Sequence, residues 1–294
     1  MNLRDLEYLV ALAETRHFGR AAARCHVSQP TLSAQLRKLE DFLGVALVER
    51  RPGPLALTAA GDAVVDRARR ILRDAEDIRS LARASQDPLS GPLKVGLIPT
   101  LGPYLLPRVA PRIAKMLPKL SLLLHEYQTA PLVERTLAGE LDLAILALPA
   151  DTKGLVTRSR FDEPFLDAMP ARHRFASKKR VKATELEGEK LLLLEEGHCL
   201  RDQALEVCEH LGTEEQAFRA TSLETLRQMV ASGLGLTLLP ELAADGPFAA
   251  AHGLAVRPFA APMPKRVVGG AWRRSTSRGA AIAAVCDLIV RAAP

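Results

Sequence analysis

A chain of 294 residues, 48% of them hydrophobic, is long enough to bury two or three real cores. Its formal net charge of +6 admits nucleic acid as a partner, but residues 1–87 carry 14 Lys and Arg against 12 Asp and Glu, so binding must rest on which face the bases occupy. No run approaches the roughly 18 apolar residues of a membrane helix. Met1-Asn2-Leu3-Arg4 enters an amphipathic pattern without a basic-plus-apolar leader, so a cytoplasmic chain with no membrane partner is expected.

Leu3, Leu6, Leu9/Val10 and Ala13 repeat at helical spacing, and Phe18 to Arg24 continues as a short Ala-rich helix. Cys25-His26-Val27 then turns the chain, and Ser28 can cap a helix whose first turn accepts Pro30. In that helix Leu32, Leu36, Leu39 and Leu43 face inward. Gln29, Thr31, Ser33, Gln35, Arg37 and Lys38 form the opposite face. Two short helices, a turn and a polar, basic outer face describe a helix-turn-helix, whose second helix enters the major groove with its N-terminal residues nearest the bases. The plainer reading is a solvated helix face. Val45 to Leu57, with Arg50-Arg51-Pro52-Gly53-Pro54 at its tip, reads as a two-stranded wing with arginines for the DNA backbone.

Several motifs converge here: Leu3-Arg4-Asp5-Leu6-Glu7-Tyr8-Leu9, Phe18-Gly19-Arg20-Ala21-Ala22, Val27-Ser28-Gln29-Pro30-Thr31-Leu32-Ser33, Leu39-Glu40 and Leu43-Gly44. Together they resemble the winged helix-turn-helix of LysR-type transcriptional regulators. That resemblance implies double-stranded promoter DNA as partner, contacted by Arg4, Gln29, Pro30, Thr31, Ser33, Arg37, Lys38 and Arg50. It also brings RNA polymerase into the set of expected partners.

Thr58 caps a long helix in which Val64, Ala68, Ile71, Ala75, Ile78 and Ala82 alternate steps of four and three, the seam of a coiled coil. Such a seam implies a second copy of the chain, hence a dimer and, by the resemblance, a tetramer. Ser85 to Pro92 ends the helix as a hinge. Strands then alternate with helices: Leu93–Ile98, Tyr104–Met116, Leu120–Glu126, Leu132–Ala138, Leu143–Leu146. A second unit follows from Lys190 to Leu239, and Lys265–Trp272 with the helix 278–291 returns to the first. That alternation predicts a parallel sheet wrapped by helices.

The expected fold class is therefore α/β with an all-α N-terminal part: a winged helix-turn-helix, a long linker helix, and a two-lobed effector domain resembling periplasmic binding proteins. The boundaries are 1–58 for DNA binding, 59–87 for the linker helix and 88–294 for the effector domain. Its first lobe takes 88–161 plus 265–294 and its second 162–264.

The second lobe holds the unusual stretch, Gly197-His198-Cys199-Leu200-Arg201-Asp202-Gln203-Ala204-Leu205-Glu206-Val207-Cys208. Nine helical residues separate the two cysteines by roughly 13 Å along the axis, while a disulfide needs Cα atoms about 4.4–6.8 Å apart. Joining them must remodel the helix. Cys199 opens that helix, where the dipole and free amides favour a thiolate, with His198 and Arg201 adding positive character and Asp202 opposing it. Cys25 and Cys286 read as small buried hydrophobes. His198, Cys199, Cys208 and His210 are possible metal ligands, but their spacing fits no common zinc pattern, so no metal and no cofactor is expected. Ligands in such folds gather beyond the carboxyl ends of strands, which brings Thr100, Thr129, His198 and Cys199 toward one crevice.

The stretch Leu192 to Cys208, Phe218 to Arg227, and Gly96-Leu97-Ile98-Pro99-Thr100 through Pro107 resemble the hydrogen peroxide-sensing members of the LysR-type family. The resemblance implies that Cys199 is the peroxidatic thiol and Cys208 the resolving thiol. It also implies that Thr100, Thr129, His198 and Arg266 bind or polarise the peroxide, and that the chain regulates oxidative-stress genes and is not an enzyme. An ordinary regulator with an organic effector, or a thiol peroxidase, would be the alternatives.

Overall fold

The computed structural model describes residues 1–49, 55–208, 214–244 and 253–292, in two compact units, Met1–Ala82 and Arg83–Pro294. In the first unit α1 (Leu3–Thr15) starts on a capping box in which Asn2 and Asp5 exchange side chain-to-backbone hydrogen bonds of 2.8 and 3.1 Å. The His17 imidazole caps α2 (Phe18–Arg24) by accepting from the Gly19 and Arg20 amides. Ser28 Oγ accepts from Thr31 N to open α3 (Gln29–Leu43), with Pro30 in its first turn, and Gly44 closes it at φ 71°.

Leu32, Leu36 and Leu39 of α3 are buried against Leu9, Leu12 and Ala21, the inward set expected from their spacing. The wing is present as paired backbone: Val48 bridges Leu57, and Glu49 N donates to Ala56 O. Its tip, Arg50 to Pro54, lies outside the described residues. Glu40, buried in α3, accepts from Leu47 N at 2.8 Å and Val48 N at 3.2 Å, and so ties the wing to the helix. Thr58 Oγ1 caps α4 (Ala59–Gln86) at Gly61 N. Of the expected seam Ala68 is buried in its own unit, whereas Ile71 and Ile78 stand exposed, with Leu81 beside them.

The second unit opens with β1 (Gly91–Leu97), α5 (Gly102–Met116), β2 (Leu120–Glu126), α6 (Thr129–Leu137) and β3 (Leu143–Leu148). β4 (Leu155–Pro170) follows, then β5 (Lys190–Leu194), α7 (Cys199–Cys208), β6 (Glu214–Ala220), α8 (Leu223–Ala231), β7 (Thr237–Pro240) and the short α9 (Glu241–Ala244). β8 (Leu254–Pro258), β9 (Lys265–Arg273) and α10 (Gly279–Val290) complete it. β1 pairs in parallel with β2 and β3, as the alternation predicts. β9, however, runs antiparallel to both β3 and β4, so the sheet is mixed and the all-parallel expectation is corrected. The reason is the crossing between lobes: β4 carries the chain out of the first lobe and β9 brings it back, and such a pair must run in opposite directions.

β4 was not legible as a strand, because Arg158, Arg160, Asp162, Glu163 and two prolines break its apolar pattern. It is the longest strand described. Its N-terminal part, Leu155 to Pro164, pairs with β9, and Phe165 to Pro170 pairs with β7 and β8. One strand therefore belongs to both lobes. Its lobe-changing segment, Glu163 to Phe165, is buried or nearly so.

Candidate functional site: a thiol on an interlobe crevice

β5 is buried from Leu191 to Leu194 and delivers the chain to a tight turn, Glu195 to His198, from which α7 begins. Gly197 sits at φ 93°, and a Cβ there would come within 2.6 Å of Gln128 Oε1. The position requires glycine for its conformation and for the close approach of the other lobe. Gln128 also reaches Glu195 Oε1 and the Glu196 carbonyl at 3.5 Å each, so the first lobe holds the turn that presents Cys199.

Cys199 is a free thiol, half-buried, at the first position of α7. It lies on a crevice of about 460 Å³ together with Thr129, Val133, Pro149, Lys153 and Asp202. α7 is continuous from Cys199 to Cys208, which keeps the two backbones roughly 13 Å apart at 1.5 Å per residue. The Cys208 side chain, like His210 as a whole, lies outside what is described. Cys286 is fully buried and Cys25 half-buried, and burial is the main cause that pushes both thiols up. Neither faces the crevice.

His198 is buried, with Nε2 4.0 Å from Glu195 Oε1 and a hydrogen bond to the Thr221 backbone. Burial lowers its pKa below the ordinary histidine value, against the opposing pull of Glu195 and of its Thr221 hydrogen bond, and so favours the neutral ring. Burial thus works against the positive character expected of His198 beside Cys199.

Thr129 is the first residue of α6, and its buried Oγ1 has no hydrogen-bond partner among the described residues. Thr100 lies in the turn three residues beyond β1 and is 1% exposed. The fully buried Arg266 donates through Nη1 to Thr100 Oγ1 at 3.0 Å and through Nη2 to the Thr100 carbonyl at 3.1 Å. Its Nε donates to Glu163 Oε2 at 2.8 Å, and Glu163 Oε1 accepts from Leu242 N. The structure thus groups the site residues in two sets. Thr129 and Cys199 share the crevice wall, while buried His198, next to Cys199 in sequence, does not line it; Thr100 and Arg266 are bound to one another and do not line that crevice either. Glu163 and Gln128 were missed. Glu163 lies in the unrecognised β4, and nothing local marks a glutamine before a helix as a clasp between lobes.

Gln29, Pro30, Thr31, Arg37 and Lys38 are exposed on α3, Ser33 is half-buried there, and Arg4 is exposed on α1. Arg50 lies outside the described residues. Among the described residues no cluster of three His, Cys, Asp or Glu is placed to hold a metal, and no helix is long and apolar enough to cross a membrane.

A winged helix-turn-helix joined by a long helix to a two-lobed α/β unit with a crevice defines a DNA-binding regulator with a sensor domain. The model of the bacterial regulatory helix-turn-helix protein, lysR family, matches residues 3–62, and that of the LysR substrate binding domain matches residues 86–294. The chain belongs to the LysR family of transcriptional regulators. It is 51% identical over 274 residues to the DNA-binding transcriptional dual regulator OxyR of Escherichia coli K12, spanning 93% of this chain and 90% of that protein. Among solved structures it resembles full-length OxyR of Pseudomonas aeruginosa bearing a cysteine-to-aspartate substitution, at TM-score 0.75 and 45% identity, covering 98% and 94% of the two chains. It also resembles a hydrogen peroxide-bound cysteine mutant of OxyR from Corynebacterium glutamicum, at TM-score 0.69 and 35% identity, covering 99% and 92%.

Proposed function

We propose that this regulator senses hydrogen peroxide through Cys199 and Cys208 and controls oxidative-stress genes. The observation that carries the reading is a free, half-exposed Cys199 at the start of α7, on a crevice wall, with Cys208 closing the same helix. The Cys199 thiolate attacks one peroxide oxygen; the O–O bond breaks, the sulfur becomes a sulfenic acid, and the other oxygen leaves as hydroxide. The Cys208 sulfur then attacks that of Cys199, the S–O bond breaks, and water leaves as the disulfide forms. The unpartnered Thr129 hydroxyl can orient the oxidant, and neutral His198 can exchange a proton with the departing hydroxide. Arg266 acts from behind, with Glu163, by fixing the Thr100 turn.

The disulfide cannot form across an intact α7, so oxidation unwinds it and repacks the second lobe. Peroxide is consumed once per switching event and read out at DNA, which distinguishes a sensor from a peroxidase. Arg4, Gln29, Pro30, Thr31, Ser33, Arg37, Lys38 and the wing residue Arg50 are assigned to promoter contacts. The exposed Ile71, Ile78 and Leu81 of α4 support a dimer. The effector unit also leaves Met116 of α5 and Leu123 and Leu124 of β2 exposed, further apolar surface that supports a dimer of dimers. The working division remains 1–58, 59–87 and 88–294, with lobes 88–161 plus 265–294 and 162–264. The working location is the cytoplasm, beside promoter DNA and RNA polymerase.

The crevice, far larger than peroxide, favours a second reading in which a small organic effector is the signal. Peptide mapping under non-reducing conditions after peroxide treatment, with footprinting of reduced and oxidised protein on one promoter, separates the two. A Cys199–Cys208 link and an altered footprint are expected. A Cys199→Ser variant that still responds to peroxide would overturn the proposal.

A further inference from the structure

The loop that leaves β4, from Ala171 to Lys182, carries six bases, Arg172, Arg174, Lys178, Lys179, Arg180 and Lys182, and no acid. The whole chain has 40 Lys and Arg against 34 Asp and Glu, so without these six it would hold 34 of each. One loop of the second lobe thus equals the entire net charge of the protein. A block of like charge repels itself and is ordinarily unstructured; this one is pinned from several sides. Phe175 is fully buried, with the His173 ring edge-on at 4.8 Å, the Arg174 guanidinium at 4.4 Å and the Lys178 ammonium at 4.9 Å from its centre. Arg257 donates to the Ala176 carbonyl, Arg180 donates to the Phe259 carbonyl at 3.1 Å, and Val181 N donates to Pro258 O at 3.0 Å. Glu189 pairs with Arg174 at 2.8 Å and Glu185 with Lys178 at 2.5 Å. Arg172, Lys179 and Lys182 are exposed and make no ion pair within 4 Å among the described residues.

We propose that this loop is a second DNA-contacting surface, which binds backbone phosphates of the promoter without reading bases. The inference rests on DNA binding by α3 but not on the peroxide chemistry. Residues 1–87 carry an excess of only two positive charges, whereas affinity for DNA grows with the number of phosphates neutralised. The loop supplies a larger excess, held in place before binding, so little side-chain and backbone order has to be gained on contact. Its form suits phosphates and not base edges: it is a string of turns, with no helix or strand to enter a groove and no exposed aromatic ring to stack on a base. It also lacks the apolar anchors of a protein interface, since Phe175, Val181 and Leu186 are all buried. An ordinary solvated face intersperses charges of both signs; here one sign is gathered and the few acids nearby leave three bases unmatched.

The test titrates reduced full-length protein into a labelled promoter duplex at stepped salt, read by fluorescence anisotropy. The double variant R172Q/K179Q removes two unmatched charges and should lower the slope of log affinity against log salt by about 2, with affinity down about tenfold near 0.1 M salt. The loss should be as large on an unrelated duplex, because phosphate contacts carry no sequence information. K115Q/R274Q removes the same charge from exposed, unpaired positions elsewhere on the effector unit and should leave the slope as in wild type. Thermal melting of both variants should match wild type, and R172E/K179E should weaken binding further. A wild-type slope in R172Q/K179Q overturns the proposal. So does an equal fall in K115Q/R274Q, which would make the effect one of net charge alone. Unchanged DNA affinity with reduced polymerase-dependent transcription would also overturn it, by moving the loop to a protein partner.

Discussion

If Cys199 and Cys208 can join only when α7 unwinds, the stability of that helix sets how readily the disulfide forms. Glu206 is exposed on α7, two residues before its end, and makes no hydrogen bond or ion pair among the described residues. A Glu206→Ala, Gly, Pro series therefore alters helix preference with little else, and the alanine variant serves as reference because all three lack the charge. Glycine costs about 0.9 kcal/mol and proline about 3 kcal/mol relative to alanine in a helix interior. Both penalties fall on the reduced state, where α7 is intact, and are relieved when oxidation unwinds it. For a two-electron couple about 30 mV corresponds to 1.4 kcal/mol. The reduction potential should thus become more negative by roughly 20 mV for glycine and roughly 65 mV for proline. Equilibrating each variant in thiol–disulfide buffers of stepped potential, trapping free thiols by alkylation and weighing the products by mass spectrometry gives the three values. A proline variant within a few millivolts of alanine would mean that α7 does not unwind, and the switching scheme would fall with it.

Two further predictions concern groups buried in the effector unit. Asp167 is fully buried on β4, neither carboxyl oxygen has a hydrogen-bond partner among the described residues, and its pKa is pushed up to about 7, first by burial and then by Glu189. Because the folded value exceeds the unfolded one, the stabilisation is complete below about pH 4 and is lost as pH rises to about 7, amounting to on the order of 4 kcal/mol. Denaturant unfolding should show that decline between pH 4 and 7, and Asp167→Asn should flatten it; an unaltered slope in the variant would refute the assignment. Arg266 and Glu163 are both fully buried, so Arg266→Met leaves an unpaired carboxylate and should cost about 3–5 kcal/mol. Adding Glu163→Gln should recover part of that loss, and thermal unfolding with the double variant no more stable than the single would contradict the pairing.

The helices of the DNA-binding unit were legible because their information is local. Asn2 with Asp5, Ser28 with Pro30, and the period of Leu32, Leu36 and Leu39 each state a cap or a buried face within a few residues. Strands β1, β2 and β3 were legible for the same reason, as short apolar runs between turn residues. The Cys199–Cys208 spacing alone implied that bonding and helix exclude one another.

Tertiary structure decided what depends on distant partners. β4 became a strand because β9, β7 and β8 supply its hydrogen bonds along its length, which no local pattern of charged residues and prolines reveals. Burial, which no local pattern shows, is what shifts His198 further toward its neutral form. Glu163 meets Arg266 across 103 residues, and Gln128 reaches Glu195 across 67, because two lobes close on each other. The chain by itself named the thiol. Only the packing of one lobe against the other gave it a crevice, a clasp and a wall of threonine beside it.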